Sequence, residues 1–181
     1  MALCLSLSLF AQATSESTET KDISMRDKRF VAIHRGGPLD LKRHQLLATW
    51  AADCAEHVLP LFEKESFDDR PRKAIEVIRA WVRGEVAVGA AQKAAYAAHA
   101  AAKEAKSPAA IAAARSTGQA VATAHFADHS LVAAKCAIQA VEAASGSPQD
   151  EYAWQMACIP ESVRDLVISG IGQRFPKSVP K

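Results

Sequence analysis

The sequence contains little glycine and little cysteine, and it has no long apolar run. Eight glycines and four cysteines among 181 residues exclude a collagen-like chain and a disulfide-dense domain. No stretch reaches the roughly 18 consecutive apolar residues of a membrane-spanning helix, so no membrane segment is predicted. An excess of one charge is also missing, because 22 lysines and arginines face 20 aspartates and glutamates. This net charge of +2 argues against a nucleic-acid-binding surface and against an acidic tail.

Several common catalytic motifs are missing as well. The sequence has neither the Gly-x-x-x-x-Gly-Lys-Ser/Thr loop nor the Gly-x-Gly-x-x-Gly loop, two frequent phosphate-binding patterns. It also lacks the Gly-x-Ser-x-Gly nucleophile elbow and the paired Glu-x-x-His units of a di-iron bundle. We therefore predict no cofactor, and the sequence favours a non-enzymatic protein while leaving catalysis open.

What the chain does contain is 49% apolar residues, arranged with helical periodicity. Its length suits one domain with a real core. No segment alternates like a strand, although residues 30–33 form a short apolar run that could be extended. The predicted fold is an all-α compact bundle of about six to seven helices. The predicted helices are 39–63 with a break at Pro60, 70–84 behind an acidic cap at Asp68-Asp69, 89–106, 108–117, 118–144, 149–158 and 161–173.

Alanine is concentrated in the middle of the chain, where residues 87–127 include 20 alanines. On the third predicted helix these alanines cover one face, so we expect this helix to be central and tightly packed. Alanine buries little apolar area, so larger side chains on the flanking helices must complete the core. The members of the predicted alanine face are Ala91, Ala94, Ala95, Ala98, Ala101, Ala102 and Ala105.

The first 24 residues form an extension by composition, and residues 25–181 form a single predicted domain. Residues 1–13 resemble a secretory signal ending in Ala11-Gln12-Ala13, but they lack a basic start and are short for such a signal. Residues 14–24 are polar, and Met25 follows them directly. Three interpretations remain open: a disordered or mis-assigned extension before a true start at Met25, a targeting segment, and a structural element.

The four cysteines are widely spaced, without a Cys-x-x-Cys pair. They are Cys4, Cys54, Cys136 and Cys158, and three of the four lie among apolar neighbours. We expect buried free thiols, as in a reducing compartment, and therefore a cytoplasmic protein.

The first candidate site is the segment His125-Phe126-Ala127-Asp128-His129. On a continuous helix over residues 118–144, His125, Asp128 and His129 are spaced i, i+3 and i+4 and share one face. Such a face suits a buried hydrogen-bond network, a partner or ligand site, or a metal site with two imidazoles and a carboxylate. Whether a metal binds there is left open.

The second candidate site is Asp53 with His57, one helical turn apart beside an apolar stripe. A half-buried aspartate needs donors, and we expect Arg70 or Arg115 to supply them. A structural ion-pair network is the simpler interpretation, and a catalytic carboxylate is the alternative.

The order of several motifs carries a family resemblance over residues 28–145. These motifs are FVAIHRGGPL at 30–39, WAADCAE at 50–56, DRPRKA at 69–74 with Trp81, AHAAA at 98–102, and AARSTGQAVATAH at 113–125 followed by Asp128 and His129. The chain resembles the Imm-5-like family of immunity proteins. The resemblance implies a mainly α-helical fold and protection of a bacterium from a cognate protein toxin encoded nearby. The family-like positions carried over as candidate site residues are Asp53, Arg70, Arg115, His125, Asp128 and His129.

Three hypotheses about function follow. The resemblance implies a non-enzymatic inhibitor that binds one toxin. Because the alanine face is expected to be internal, the candidates for the interface are exposed charged helix faces and the loop around Asp68-Asp69-Arg70. The second hypothesis is a metal- or small-ligand-binding helical domain, with or without catalytic activity, that uses the face of His125, Asp128 and His129. The third is a homo-oligomer in which the alanine-rich face mediates self-association.

Overall fold

Seven α-helices of ten or more residues dominate the computed structural model, which describes residues 26–175. Two 3-10 turns, Lys28–Phe30 and Ile33–Arg35, precede them, and a single helical turn, Pro60–Glu63, follows the first helix. Within residues 26–175 the one β pairing is an isolated bridge between Ala32 and Leu39. The predicted all-α bundle is confirmed. Its helices are α1 (Leu41–Val58), α2 (Arg70–Val82), α3 (Val88–Glu104), α4 (Pro108–Ala122), α5 (His129–Ala143), α6 (Pro148–Ala157) and α7 (Glu161–Arg174).

Helix boundaries follow local chemistry in most places. The side chains of Ser107 and Ser147 each accept a hydrogen bond, at 3.1 Å, from a backbone N–H in the first turn of α4 and α6. Pro60, which has no N–H to donate, separates α1 from the single turn behind it. At the start of α2 the predicted acidic cap is formed by Asp68, which accepts from the Arg70 N–H at 2.9 Å.

Helix α1 lies at the centre and packs against α2, α4 and α5. Its buried side chains include Leu47, Trp50 and Val58, which supply apolar area that the alanines cannot. The indole N–H of Trp50 donates to the Gln155 carbonyl at 3.0 Å and so ties α1 to α6.

Helices α3, α4 and α5 pack side by side on small residues. A β-carbon at position 118 would lie 2.7 Å from the His99 ring, so Gly118 lets α3 and α4 approach closely. Five members of the predicted alanine face are buried, namely Ala91, Ala95, Ala98, Ala101 and Ala102, and Ala94 and Ala105 are partly buried. The face proposed for self-association is therefore used inside the fold, and a second copy cannot reach it.

The predicted continuous helix over residues 118–144 is wrong. Helix α4 runs through Gly118 to Ala122, residues 123–128 form turns, and α5 begins at His129. No proline or glycine lies in these turns. The chain reverses because α4 and α5 bury their alanine faces against each other and against α1, which one straight helix could not do. Buried His44 supports the reversal by donating from Nε2 to the Thr123 carbonyl at 2.6 Å.

Two further predictions concern the chain before α1. Residues 30–33 are extended in part: Val31 and Ala32 have extended backbone and Ala32 forms the bridge to Leu39, whereas Phe30 and Ile33 belong to the 3-10 turns. The predicted extension 1–24 and the predicted start at Met25 lie outside the described residues, as does 176–181. Among the helices of residues 26–175, none is both long enough and apolar enough to cross a membrane.

Candidate functional site

The turn between α4 and α5 holds His125, Asp128 and His129, but not on one helix face. His125 lies within the turn, Asp128 is the last residue before α5, and His129 is its first residue. Phe126 is buried between the histidines, with its ring 4.2 Å from that of His125 and 6.4 Å from that of His129. The three residues therefore surround an aromatic ring instead of facing a common ligand position.

Asp128 is the centre of this site, and it is only 4% exposed. Arg26 donates to its Oδ1 and Arg174 to its Oδ2, each at 2.5 Å. The guanidinium of Arg26 also lies over the Phe126 ring, 4.0 Å from the centroid. Because two arginines occupy both oxygens, this carboxylate acts as a structural tether between the segment before the first 3-10 turn, the α4–α5 turn and α7.

His129 is held as a neutral imidazole. Its Nδ1 donates to the side-chain oxygen of Gln119 at 2.7 Å. Burial lowers the pKa of His129 to about 4, and the nearby charges of Arg26 and Arg174 act in the same direction against the attraction of Asp128. At neutral pH this side chain links α5 to α4 without carrying charge.

His125 is also occupied by protein groups. Its Nδ1 lies 3.1 Å from the Gln92 amide nitrogen and 3.3 Å from an Arg35 guanidinium nitrogen. Both neighbours are donors, so Nδ1 acts as the acceptor. Helix α3, the second 3-10 turn and the α4–α5 turn therefore meet at this ring.

The arrangement corrects the hypothesis of a metal site at these residues. That hypothesis needed a shared helix face, which the chain reversal removes. It also needed free lone pairs on Asp128 and His125, and those accept from arginine and glutamine. Across residues 26–175, no three His, Cys, Asp or Glu side chains are grouped so that they could hold a metal ion.

The second candidate pair, Asp53 and His57, connects α1 to two different helices. Asp53 pairs with Arg79 of α2 at 2.9 Å, and Arg79 also binds Glu56. The expectation that Arg70 or Arg115 would serve Asp53 is therefore wrong, because the register of α2 on α1 brings Arg79 to it.

His57 makes the connection to α6. Its Nδ1 donates to Glu151 at 2.7 Å, and its ring stacks on Trp154 at 3.9 Å between centroids. Glu151 is buried and also accepts from the Gln155 amide at 2.8 Å. This network fixes α6 on α1, as the structural interpretation of the pair expects.

The remaining candidates, Arg70 and Arg115, lie apart from both clusters. Arg70 pairs with Asp68 and Glu104, each at 2.5 Å, and thereby joins the start of α2 to the end of α3. Arg115 is exposed in the middle of α4. The seven candidate residues thus form several separate contacts and not one site.

Sequence reasoning missed the arginines that complete the Asp128 site. Arg26 and Arg174 lie 148 positions apart in the printed sequence, and only the fold brings them together. Beside Asp128 lies a cavity of about 430 Å³, whose apolar wall includes Phe30, Leu131 and Gly170. No local sequence pattern signals this convergence.

The described cysteines are free thiols in three different environments. Cys54 is buried, Cys136 is partly buried and Cys158 is exposed. Burial raises the pKa of the Cys54 thiol well above its usual value. Cys158 therefore departs from the expectation of buried thiols, and Cys4 lies outside the described residues.

Comparison with known protein families gives a match over residues 37–162, to the family described as Imm-5 like putative immunity protein. The chain belongs to this family. The matched range contains α1 to α6, with all seven candidate site residues, and stops at the start of α7. Searches of curated proteins and of solved structures gave no match.

Proposed function

We propose that this Imm-5-like protein is a non-enzymatic cytoplasmic inhibitor that binds and neutralises one cognate protein toxin. Family membership over residues 37–162 is the observation that carries the proposal. A toxin and its immunity protein are made in the same cell, so the toxin gene is expected beside the gene of this protein.

The internal contacts of the candidate residues support a binding role. Four of these residues form an ion pair or a hydrogen bond with a side chain on another helix, namely Asp53, His57, Arg70 and Asp128. Such residues hold a rigid surface in place, and rigidity in the free state lowers the entropic cost of association. The chemistry of inhibition would then lie in surface complementarity to the toxin.

The loop around Asp68-Asp69-Arg70 is expected to belong to the interface. It contains one exposed aromatic side chain that could contact the toxin. Asp68 and Arg70 are paired with each other, whereas the neighbouring Phe67 is fully exposed. Exposed aromatic side chains often anchor protein interfaces. A specific complex would bury about 1,200–2,000 Å² in total, which is more than this loop can provide.

The experiment is titration of the purified protein against the toxic domain encoded by the adjacent gene. Inhibition should be complete near equimolar protein, and calorimetry should give a stoichiometry of about one. Removal of toxicity by a small fraction of an equivalent would indicate turnover and contradict a non-enzymatic inhibitor. A toxin that stays active in molar excess of the protein would contradict the proposal altogether.

The variant His125→Ala separates binding from catalysis. Assayed at a temperature where the variant is folded, it should still inhibit the toxin, because His125 serves the internal contacts of a turn. Chemical turnover of a substrate by the wild type, lost in His125→Ala, would overturn the inhibitor proposal.

A further inference from the structure

The charge of this protein is unevenly distributed along the bundle. Residues 88–141, which contain α3, α4 and nearly all of α5, include five lysines and arginines but only two acidic residues. The rest of the described chain has 14 basic and 15 acidic residues. The two acidic residues, Glu104 and Asp128, are both paired with arginines from outside this segment. Apart from Glu142 near the end of α5, no carboxylate on these helices is therefore left to balance the five cations.

Arg115 lies at the centre of this cationic layer. It is exposed, and it is the one arginine among residues 26–175 that forms no ion pair and no hydrogen bond. After the larger effect of burial, the charge of Arg115 acts to lower the pKa of His99 on α3 and of Cys136 on α5. Arg115 therefore lies near both neighbouring helices. An unpaired guanidinium between two helices is available to a carboxylate on another molecule.

An exposed aromatic residue lies on α3, the helix that packs beside the one carrying Arg115. Tyr96 is 76% exposed and precedes His99 by three positions, so both share one face of α3. His99 in turn packs against Gly118, one turn after Arg115 on α4. Tyrosine and arginine are two of the residue types that contribute most to protein binding energies.

Small side chains lie next to Tyr96 on α3. The partly exposed residues Ala97 and Ala100 lie on the same helix as Tyr96 and His99. Alanine loses no rotamer freedom when covered, so a partner can bury this surface at a low entropic cost.

We infer that the Arg115 face, formed by Tyr96, His99, Lys103 and Arg115, binds an acidic surface of the toxin. This inference rests on the proposed function and adds the location of the interface and the charge of the partner. Arg115 would bind a toxin carboxylate through two parallel N–H donors, and Tyr96 would pack at the side of that contact. The lysines would accelerate association by long-range attraction.

The loop with Phe67 is the competing surface. Its acidic side chains are already engaged, because Glu65 accepts from the Ser107 hydroxyl at 2.5 Å and Asp68 pairs with Arg70. Phe67 is then a single exposed apolar side chain, which is common on protein surfaces. The Arg115 face combines an unpaired guanidinium, an exposed tyrosine and a local excess of positive charge, and the observations favour it.

The test compares Arg115→Glu with Lys42→Glu, a matched charge reversal at an exposed position of α1. Binding to the purified toxic domain is measured by calorimetry and by stopped-flow association. Arg115→Glu should weaken binding by about 30-fold or more, whereas Lys42→Glu should change it by less than about threefold. Wild-type association should slow between about 50 and 200 mM salt, and Arg115→Glu should reduce that dependence.

Folding is controlled independently, since Arg115 has no partner to lose. The melting temperature of Arg115→Glu should stay within about 2 °C of wild type, and Arg115→Ala provides a second variant without charge reversal. If both Arg115 variants bind the toxic domain with wild-type affinity, the inference is overturned while the proposed function stands. Binding that is lost in Phe67→Ala but kept in both Arg115 variants would also overturn the inference, and it would place the interface on the loop.

Two further outcomes separate the proposed function from the assignment of the Arg115 face. If wild-type protein does not bind the toxic domain at all, the proposed function fails and the inference fails with it. Binding of an oligonucleotide of about 20 nucleotides at physiological salt, lost in Arg115→Glu, would instead assign the face to nucleic acid and overturn the inference.

Discussion

Gly118 of α4 packs its backbone against the His99 ring of α3, where a β-carbon would lie 2.7 Å from the imidazole. Position 118 therefore needs glycine for space, although glycine weakens a helix. The contact fixes the separation of α3 and α4 and, with it, the spacing of the groups on the Arg115 face.

We predict that Gly118→Ala destabilises the protein by about 1–3 kcal/mol, because His99 or a whole helix must shift to admit the methyl group. Gly172→Ala is the matched control, since nothing lies within 4 Å of a β-carbon at that position of α7. The control should be neutral or stabilising by up to about 1 kcal/mol. Urea unfolding of both variants measures the difference, and equal stabilisation in the two would contradict the close packing of α3 on α4.

Asp128→Asn should destabilise the protein by about 3 kcal/mol. The neutral amide leaves Arg26 and Arg174 without a buried counter-charge and offers each of them a weaker acceptor. Asp165→Asn serves as the control, because Asp165 is exposed and its carboxylate forms no ion pair within residues 26–175. Chemical denaturation should show a clear loss for the first variant and little change for the second; similar effects would mean that the tether contributes nothing.

Protonation of His129 should couple stability to pH. Its pKa is about 4 in the folded protein, against an ordinary value of 6.5, so the unfolded chain binds a proton more readily. The free energy of unfolding should therefore fall as the pH drops from about 6.5 to about 4, by about 3 kcal/mol from this residue. Burial also lowers the pKa values of His44 and His99, which act in the same direction.

The measurement is urea unfolding of wild type, His129→Gln and His34→Gln between about pH 7.5 and pH 4.5. His129→Gln should lose much of the pH dependence, whereas His34→Gln should keep it because His34 is exposed. Parallel curves for all three proteins would show that the fold does not hold His129 in its neutral form.

Chelators should leave the melting temperature unchanged, because protein donors already occupy Asp128 and Nδ1 of His125. His125→Ala should cost about 2–4 kcal/mol through the lost contacts and the space left behind. Thermal scans with and without a chelator, together with elemental analysis, provide the check. Stoichiometric metal and a chelator effect that disappears in His125→Ala would prove the opposite.

Local signals predicted most of the fold. The predicted helix starts at 108, 149 and 161 lie within one residue of the observed ones, and the predicted break at Pro60 is present. The reversal after Ala122 could not be predicted, since residues 123–128 contain no glycine or proline and the turn is stabilised by packing of α4 on α5. Tertiary contacts outweighed local helix preference there.

The partners of the candidate residues were harder to predict than the residues themselves. Asp53 was expected to need an arginine, but helix register decides that Arg79 supplies it. The partners of Asp128 come from both ends of the described chain, so no spacing along the sequence could reveal them. Side-chain chemistry indicated which groups need partners, and only the three-dimensional fold selects the partner.

The shared carboxylate of Asp128 also has a dynamic consequence. Because Arg26 and Arg174 end on the same side chain, fraying at either end of the described chain releases one guanidinium and weakens the site that holds the other. The first 3-10 turn and the last turn of α7 should therefore open together as one cooperative unit of local unfolding. Amide hydrogens in these two distant segments should then exchange with similar protection factors, and both should lose protection in Asp128→Asn.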